Sequence, residues 1–165
     1  MNCDVVVGVD QSSTSTGVVV LNVTGEYLYS YLIQPPKKLT FDERVLYTQR
    51  VLEEILLDLS SNLKCLGLES VAMFAKGRVV QLAGLFGLIK YSVMKNGTCV
   101  YEFTPSSVKK YATGNGRADK QDVIDILPEN VRLDFLDINE SKIDDLADAY
   151  FIARMTAEKY LLNLK

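Results

Sequence analysis

Short, strongly apolar runs alternate with amphipathic stretches along this chain, and their order predicts most of an architecture. Three runs crowd the first 33 residues: VVVGVD (Val5 to Asp10), GVVVLN (Gly17 to Asn22) and YLYSYLI (Tyr27 to Ile33), all rich in β-branched or aromatic residues. A Ser/Thr turn separates the first pair and Thr24-Gly25 the second, so they read as a three-stranded meander. Pro35-Pro36-Lys37-Lys38 ends it. From Thr40 or Asp42 to Leu59, the residues Val45, Leu52, Ile55, Leu56 and Leu59 recur at helical spacing with charges between them, which predicts a long helix.

The run LKCLGLES predicts a buried strand ending in Glu69, and a helix is expected from Val79 to Met94. Gly84 and Gly87 lower its helix propensity, which suggests close packing against another element. TCVYEF (Thr98 to Phe103) is the next strand. SSVKKYAT and DKQDVIDIL read as short helices, and IDDLADAYFIARMTAEKYLLNL as a long C-terminal one. The order describes an α/β fold: a mixed five-stranded sheet, antiparallel in its first three strands and then parallel, flanked by helices. No repeat or linker divides it, so residues 1–165 are read as one domain.

The 165 residues are 48% hydrophobic and 24% charged, enough to bury one good core. There is no histidine, which removes Ser-His-Asp and Cys-His nucleophiles, a histidine base and histidine-ligated zinc. Cys3, Cys65 and Cys99 are far apart and set in apolar runs, so they are expected to be buried free thiols of a reducing compartment. The start MNCDVVVGVD lacks a basic leader and no apolar stretch reaches spanning length, from which a cytoplasmic, membrane-free protein is expected.

Net charge is −3, but it is unevenly placed: residues 119–148 carry 10 acidic and 3 basic side chains. A solvated acidic surface is the ordinary reading of such a run. Four carboxylates stand apart from it. Asp10 and Glu69 each close a strand that is otherwise apolar, and Asp145 and Asp148, three apart, project from one face at the start of the last helix. Asp144 could share that face. Capping roles are the bland alternative for each acid alone. Topology raises the joint odds, because the C-terminal ends of neighbouring strands converge at one sheet edge beside which a helix can bring further acids. Such a cluster repels itself unless cations bind it, and its oxygen-only donors point to Mg²⁺ or Mn²⁺. A pair of such ions would permit phosphodiester hydrolysis without histidine.

GVDQSSTSTGVVVL with Asp10, LES with Glu69, FTPSSVKKYATGNGRADKQDV, and DDLADA with Asp145 and Asp148 resemble, in order and spacing, the four blocks of RuvC-type Holliday junction resolvases of the ribonuclease H-like superfamily. The resemblance runs from about residue 4 to 155. It implies that Asp10, Glu69, Asp145 and Asp148 are catalytic metal ligands for two Mg²⁺ or Mn²⁺ ions. It further implies that Lys109 and Lys120 contact DNA phosphate near the scissile bond, supported by Lys110 and Arg117. Bottom-up, residues 104–120 hold those four basic side chains against Asp119 alone, and the Gly114-Asn115-Gly116 turn would let backbone N–H groups approach a phosphate. Solvated lysines on an ordinary turn are the alternative.

Family members often carry a base-wedging aromatic soon after the strand-end Glu. Here the stretch is SVAMFAKGR, with Phe74 displaced from the usual spacing; it is the candidate wedge or a core residue, and Lys76 and Arg78 are expected to face DNA. A homodimer acting on a four-way junction is also implied, with the Val79 to Met94 helix as candidate interface and a buried intramolecular helix as the alternative. A helicase-type partner is not identified, and a phage-encoded member would suit the compact acidic chain. Competing readings are a flap or branched-DNA endonuclease of the same fold, and an actin-like ATPase or sugar-kinase domain suggested by the Asp and Ser/Thr hairpin. The latter needs two domains and a second phosphate turn.

Overall fold

The computed structural model describes residues 3–71 and 79–164. Five strands form one sheet in the order β3-β2-β1-β4-β5, where β1 is Val5–Asp10, β2 Thr16–Asn22, β3 Tyr27–Ile33, β4 Leu63–Glu69 and β5 Cys99–Phe103. β1 pairs antiparallel with β2 and β2 with β3, while β4 runs parallel to both β1 and β5. Helices α1 (Phe41–Asp58), α2 (Val79–Met94), α3 (Pro105–Thr113), α4 (Lys120–Asp125), α5 (Glu129–Asn139) and α6 (Ile143–Asn163) complete the chain. The mixed sheet, antiparallel then parallel, is the one the sequence predicts.

Because side chains alternate along a strand, the two faces of the sheet read directly from the sequence. Val5, Val7, Val9, Leu66 and Leu68 face α1 and α2, together with Leu52, Leu85 and Ile89. Val6, Val19, Leu21 and Cys65 face α6, with Leu146, Ala149, Ile152 and Ala153. On this second face three strands carry glycine, and α6 lies against their backbones. A Cβ built on Gly8 would sit 2.8 Å from Ala153 Cα and closer still to Ala149 O. One on Gly17 would sit 2.7 Å from the Asp145 carbonyl carbon, and one on Gly67 2.8 Å from Ile152 Cγ2. Gly8 and Gly67 are register partners, so only adjacent Cβ-free positions let the helix approach this far.

Several expectations are corrected. Among the described residues, no atom lies within 4 Å of a Cβ added at Gly84 or Gly87, apart from their chain neighbours and the helix's own nearby backbone, and the tight packing expected at α2 is found instead at Gly8, Gly17 and Gly67. The segment after Pro128 holds a separate helix, α5, docked on β3 through a Tyr27 hydroxyl that donates to Asp134 and an edge-to-face contact between Tyr27 and Phe135. Of the cysteines only Cys65 is buried; Cys3 is half-buried and Cys99 exposed. Among the described residues no helix is long and apolar enough to cross a membrane.

Candidate active site

Strand parity and helix period bring the four sequence-singled acids together. Asp10 is two residues beyond Gly8 and Glu69 two beyond Gly67, so both side chains point to the α6 face where their strands end. On α6, Asp145 and Asp148 continue the stripe formed by Ala149, Ile152, Ala153 and Thr156 at helical spacing. The same packing that seals α6 onto glycine therefore sets its first-turn acids over the tips of β1 and β4. Gln11 ties those two tips together: its side-chain amide donates to the main-chain carbonyl of Glu69.

Electrostatics show how close the acids are. Burial, then the charges of Glu69, Asp148, Asp145 and Asp144, drive the Asp10 carboxyl well above the usual carboxylate range. Burial and Asp148 push Glu69 up to about 7, against a lowering contribution from its hydrogen bond with Asp10 and from Lys109. Asp148 rises to about 6, chiefly through burial, with Lys109 opposing. Asp145 is raised by burial as well. The Ser15 hydroxyl from the β1–β2 loop opposes that rise, Asp145 Oδ2 is itself buried, and Lys142 Nζ stands 3.8 Å from it.

Asp144 differs from its neighbours. Its carboxyl lies below the usual range because hydrogen bonds and charge from Lys120, and main-chain N–H groups of Asp144 and Asp145, outweigh its burial. It forms an ion pair with Lys120.

The two lysines reach the rim of the acid group from opposite sides of one loop. Thr104 caps α3 with Pro105 in its first turn, and Gly114, with φ 81°, ends it in the left-handed conformation. Lys109 Nζ then donates to the Ala118 carbonyl at 2.6 Å, while Asp119 and Asp122 cap α4 reciprocally and set Lys120 at its start. Lys110 and Arg117 are exposed. The turn between the helices is stitched internally: the amides of Gly114, Asn115, Arg117 and Ala118 bond to Lys110 O, Thr113 Oγ1, Asn115 Oδ1 and Asn115 O. Those four backbone amides are therefore already engaged within the turn. Phe74, Lys76 and Arg78 lie outside the described residues.

The donor set suits a hard divalent cation: four carboxylates, raised first by burial and then, at Asp10 and Glu69, by their neighbours' charges. Among the described residues no three of these side chains are gathered tightly enough to hold an ion unaided. An open arrangement of this kind fits Mg²⁺, which keeps much of its water shell and takes one or two carboxylates plus substrate phosphate oxygens. The acids lie where the interior strands β1 and β4 end, whereas a groove of about 610 Å³ between the ends of α1 and α2 contains none of them.

The family model for "Crossover junction endodeoxyribonuclease RuvC" matches residues 6–155, from β1 through the sheet-facing stretch of α6. The chain belongs to the RuvC family. Among curated relatives, RuvC of Rickettsia massiliae is 26% identical over 158 residues, covering 88% of this chain and 94% of its own length. RuvC of Chlorobaculum parvum is 30% identical over 152 residues, covering 90% and 79%. In fold, Thermus thermophilus RuvC in complex with Holliday junction substrate superposes with a TM-score of 0.73 at 23% identity, covering 97% of this chain and 96% of that one. RuvC membership also decides among the readings left open by the Ser/Thr hairpin, in favour of a nuclease and against a sugar-kinase domain.

Proposed function

We propose that this chain resolves four-way DNA junctions by divalent-metal-dependent hydrolysis of phosphodiester bonds. The observation that carries the proposal is the convergence of Asp10, Glu69, Asp145 and Asp148 at one sheet edge with Lys109 and Lys120 on its rim, in a chain of the RuvC family. Curated relatives named crossover junction endodeoxyribonuclease support the reaction. Asp10 and Glu69 would hold Mg²⁺ or Mn²⁺, two ions per site, from the strand ends, and Asp145 and Asp148 from the helix. When bound, these ions would supply Lewis-acid neutralisation of the scissile phosphate and activation of water.

The chain's own residues do the rest. With no histidine available, the proton-accepting groups in the site are carboxylates. Lys109, steered by the Ala118 carbonyl, presents positive charge toward Glu69 and Asp148, and Lys120 does the same toward Asp144, Asp145 and Asp148. Between them they offset the acid group's repulsion of an approaching phosphodiester. Lys110 and Arg117 extend the basic strip over DNA backbone further out.

A four-way junction has two-fold symmetry, and two symmetric cuts call for two sites. We assign the partner surface to α2, where Leu88, Tyr91 and Met94 are 45%, 73% and 52% exposed and Gly84 and Gly87 leave room for a second helix. A C2 homodimer joined there presents two active sites.

Cleavage of a synthetic four-way junction, run against duplex, flap and fork controls in Mg²⁺ or Mn²⁺, tests the proposal. Metal-dependent paired nicks in the junction, in preference to the controls, are expected. Equal cutting of flaps and forks would replace junction resolution by general branched-DNA cleavage, and no cutting of any substrate would overturn the enzymatic reading.

A further inference from the structure

The ion pair between Lys120 and Asp144 is a contact that a simple phosphate-binding role for Lys120 does not use. Lys120 opens the six-residue helix α4, and its side chain is 70% exposed, whereas Asp144, in the first turn of α6, is 18% exposed. The two are 24 residues apart, so the pair ties α4 to the end of α6 that carries Asp145 and Asp148. An ammonium on a four-carbon stem in open solvent samples many rotamers. Seated on Asp144 it is confined to the rim of the acid group, and two of its three N–H donors stay free for other acceptors. The Asp144 carboxylate is thereby already engaged by the Lys120 ammonium.

We propose that Asp144 is a positioning residue for strand cleavage: it holds the Lys120 ammonium beside Asp145 and Asp148 so that this group meets the scissile phosphate already oriented, and it is not a metal ligand. The inference rests on the proposed junction cleavage for its kinetic consequence, but not for the contact itself. Orientation of a charged donor acts on the reacting geometry more than on overall DNA affinity, which the longer basic strip supplies.

The test uses the full-length chain and single-turnover cleavage of a four-way junction by Asp144→Asn, Asp144→Glu, Lys120→Ala and the Asn/Ala double variant. Asp144→Asn is expected to slow cleavage about tenfold at saturating protein, with junction affinity within about twofold and the half-saturating Mn²⁺ concentration unchanged. Asp144→Glu should restore most of the rate, and in the Lys120→Ala background the Asn substitution should have no further effect. A wild-type rate in Asp144→Asn, a further tenfold loss in the double variant, or a tenfold higher Mn²⁺ requirement would each overturn the inference. An arm without DNA separates it from the cleavage reading. With lysines ¹³C-methylated, the Lys120 signal, assigned by its loss in Lys120→Ala, should move in Asp144→Asn; an unmoved signal overturns the pairing whether or not the chain cuts DNA.

Discussion

Replacing Gly8 by Ala tests whether the seating of α6 on the sheet is what assembles the site. The added methyl would lie 2.8 Å from Ala153 Cα, where ordinary contact begins near 3.4 Å, so α6 must retreat by at least 0.6 Å, and by more to clear Ala149 O and Ala153 N. These are backbone atoms of one helix and cannot rotate aside. Overpacking of this kind costs about 1–3 kcal/mol, which exceeds the ~0.5–1 kcal/mol that alanine gains over glycine in backbone entropy. The same displacement carries Asp145 and Asp148 away from Asp10 and Glu69, and a shift approaching 1 Å at a reacting centre lowers the rate by about 100-fold.

Val7→Ala is the control. Val7 is fully buried on the opposite face, against α1 and α2, so its loss costs a similar ~1–3 kcal/mol without touching α6. Urea unfolding gives the stabilities, and single-turnover junction cleavage well below either midpoint gives the rates. Both variants should lose stability, while only Gly8→Ala should lose about two orders of magnitude in rate. A Gly8→Ala protein that cuts at the wild-type rate, or a Val7→Ala protein that is slowed as much, would refute the reasoning.

Glu69→Gln removes one anionic donor from the acid group while keeping its shape; cleavage should fall below detection, with junction binding retained in an electrophoretic shift assay in Ca²⁺. In metal-free protein, Glu69 and Asp148 titrate near 7 and 6, above their unfolded values. Raised carboxyl groups favour folding while protonated, so in EDTA this stability should be full at or below about pH 4 and be lost as pH rises through 6 to 7. Glu69 alone contributes about 3 kcal/mol to that loss, and urea midpoints across pH 5–8 should fall in EDTA but not with saturating Mn²⁺. Tyr91→Arg places a charge in the exposed stripe of α2, and sedimentation should show the wild type as a dimer and the variant as a monomer that still folds.

The sheet and its change from antiparallel to parallel were legible in the order of the elements, and the meeting of the four acids in their periodicity. Alternation puts Val6, Gly8 and Asp10 on one face of β1, and Cys65, Gly67 and Glu69 on one face of β4. The apolar stripe of α6, extended back one turn, passes through Asp148 and Asp145. Other features were hidden for physical reasons. In α5, Val131 and Phe135 are buried at helical spacing, but Leu133, Leu136 and Ile138 are exposed, so the apolar pattern runs around the helix and does not mark a face. The packing glycines were misplaced because glycine in a helix draws notice by its propensity cost. Glycine inside a strand carried the stronger signal, since there it marks the approach of another backbone. The pairing of Asp144 with Lys120 depends on where α4 docks, which local pattern does not specify.

The acidic run from 119 to 148 shows why a charge count misleads at this scale. Several of its residues have unrelated tasks: Asp119 and Asp122 cap α4, Asp134 accepts from Tyr27 to dock α5, Asp144 pairs with Lys120, and Asp145 and Asp148 add their charge to that of Asp10 and Glu69. Charges spent on caps and pairs are locally compensated and contribute little field beyond a Debye length. The acid group itself has the basic strip of Lys109, Lys110, Arg117 and Lys120 at its edge, and Lys109 and Lys120 oppose part of its charge. Under the proposed function, adjacent fields of opposite sign would let a polyanion be held by the strip while its scissile phosphate is brought over carboxylates that would otherwise repel it. The chain can therefore be acidic overall and still carry a local positive surface.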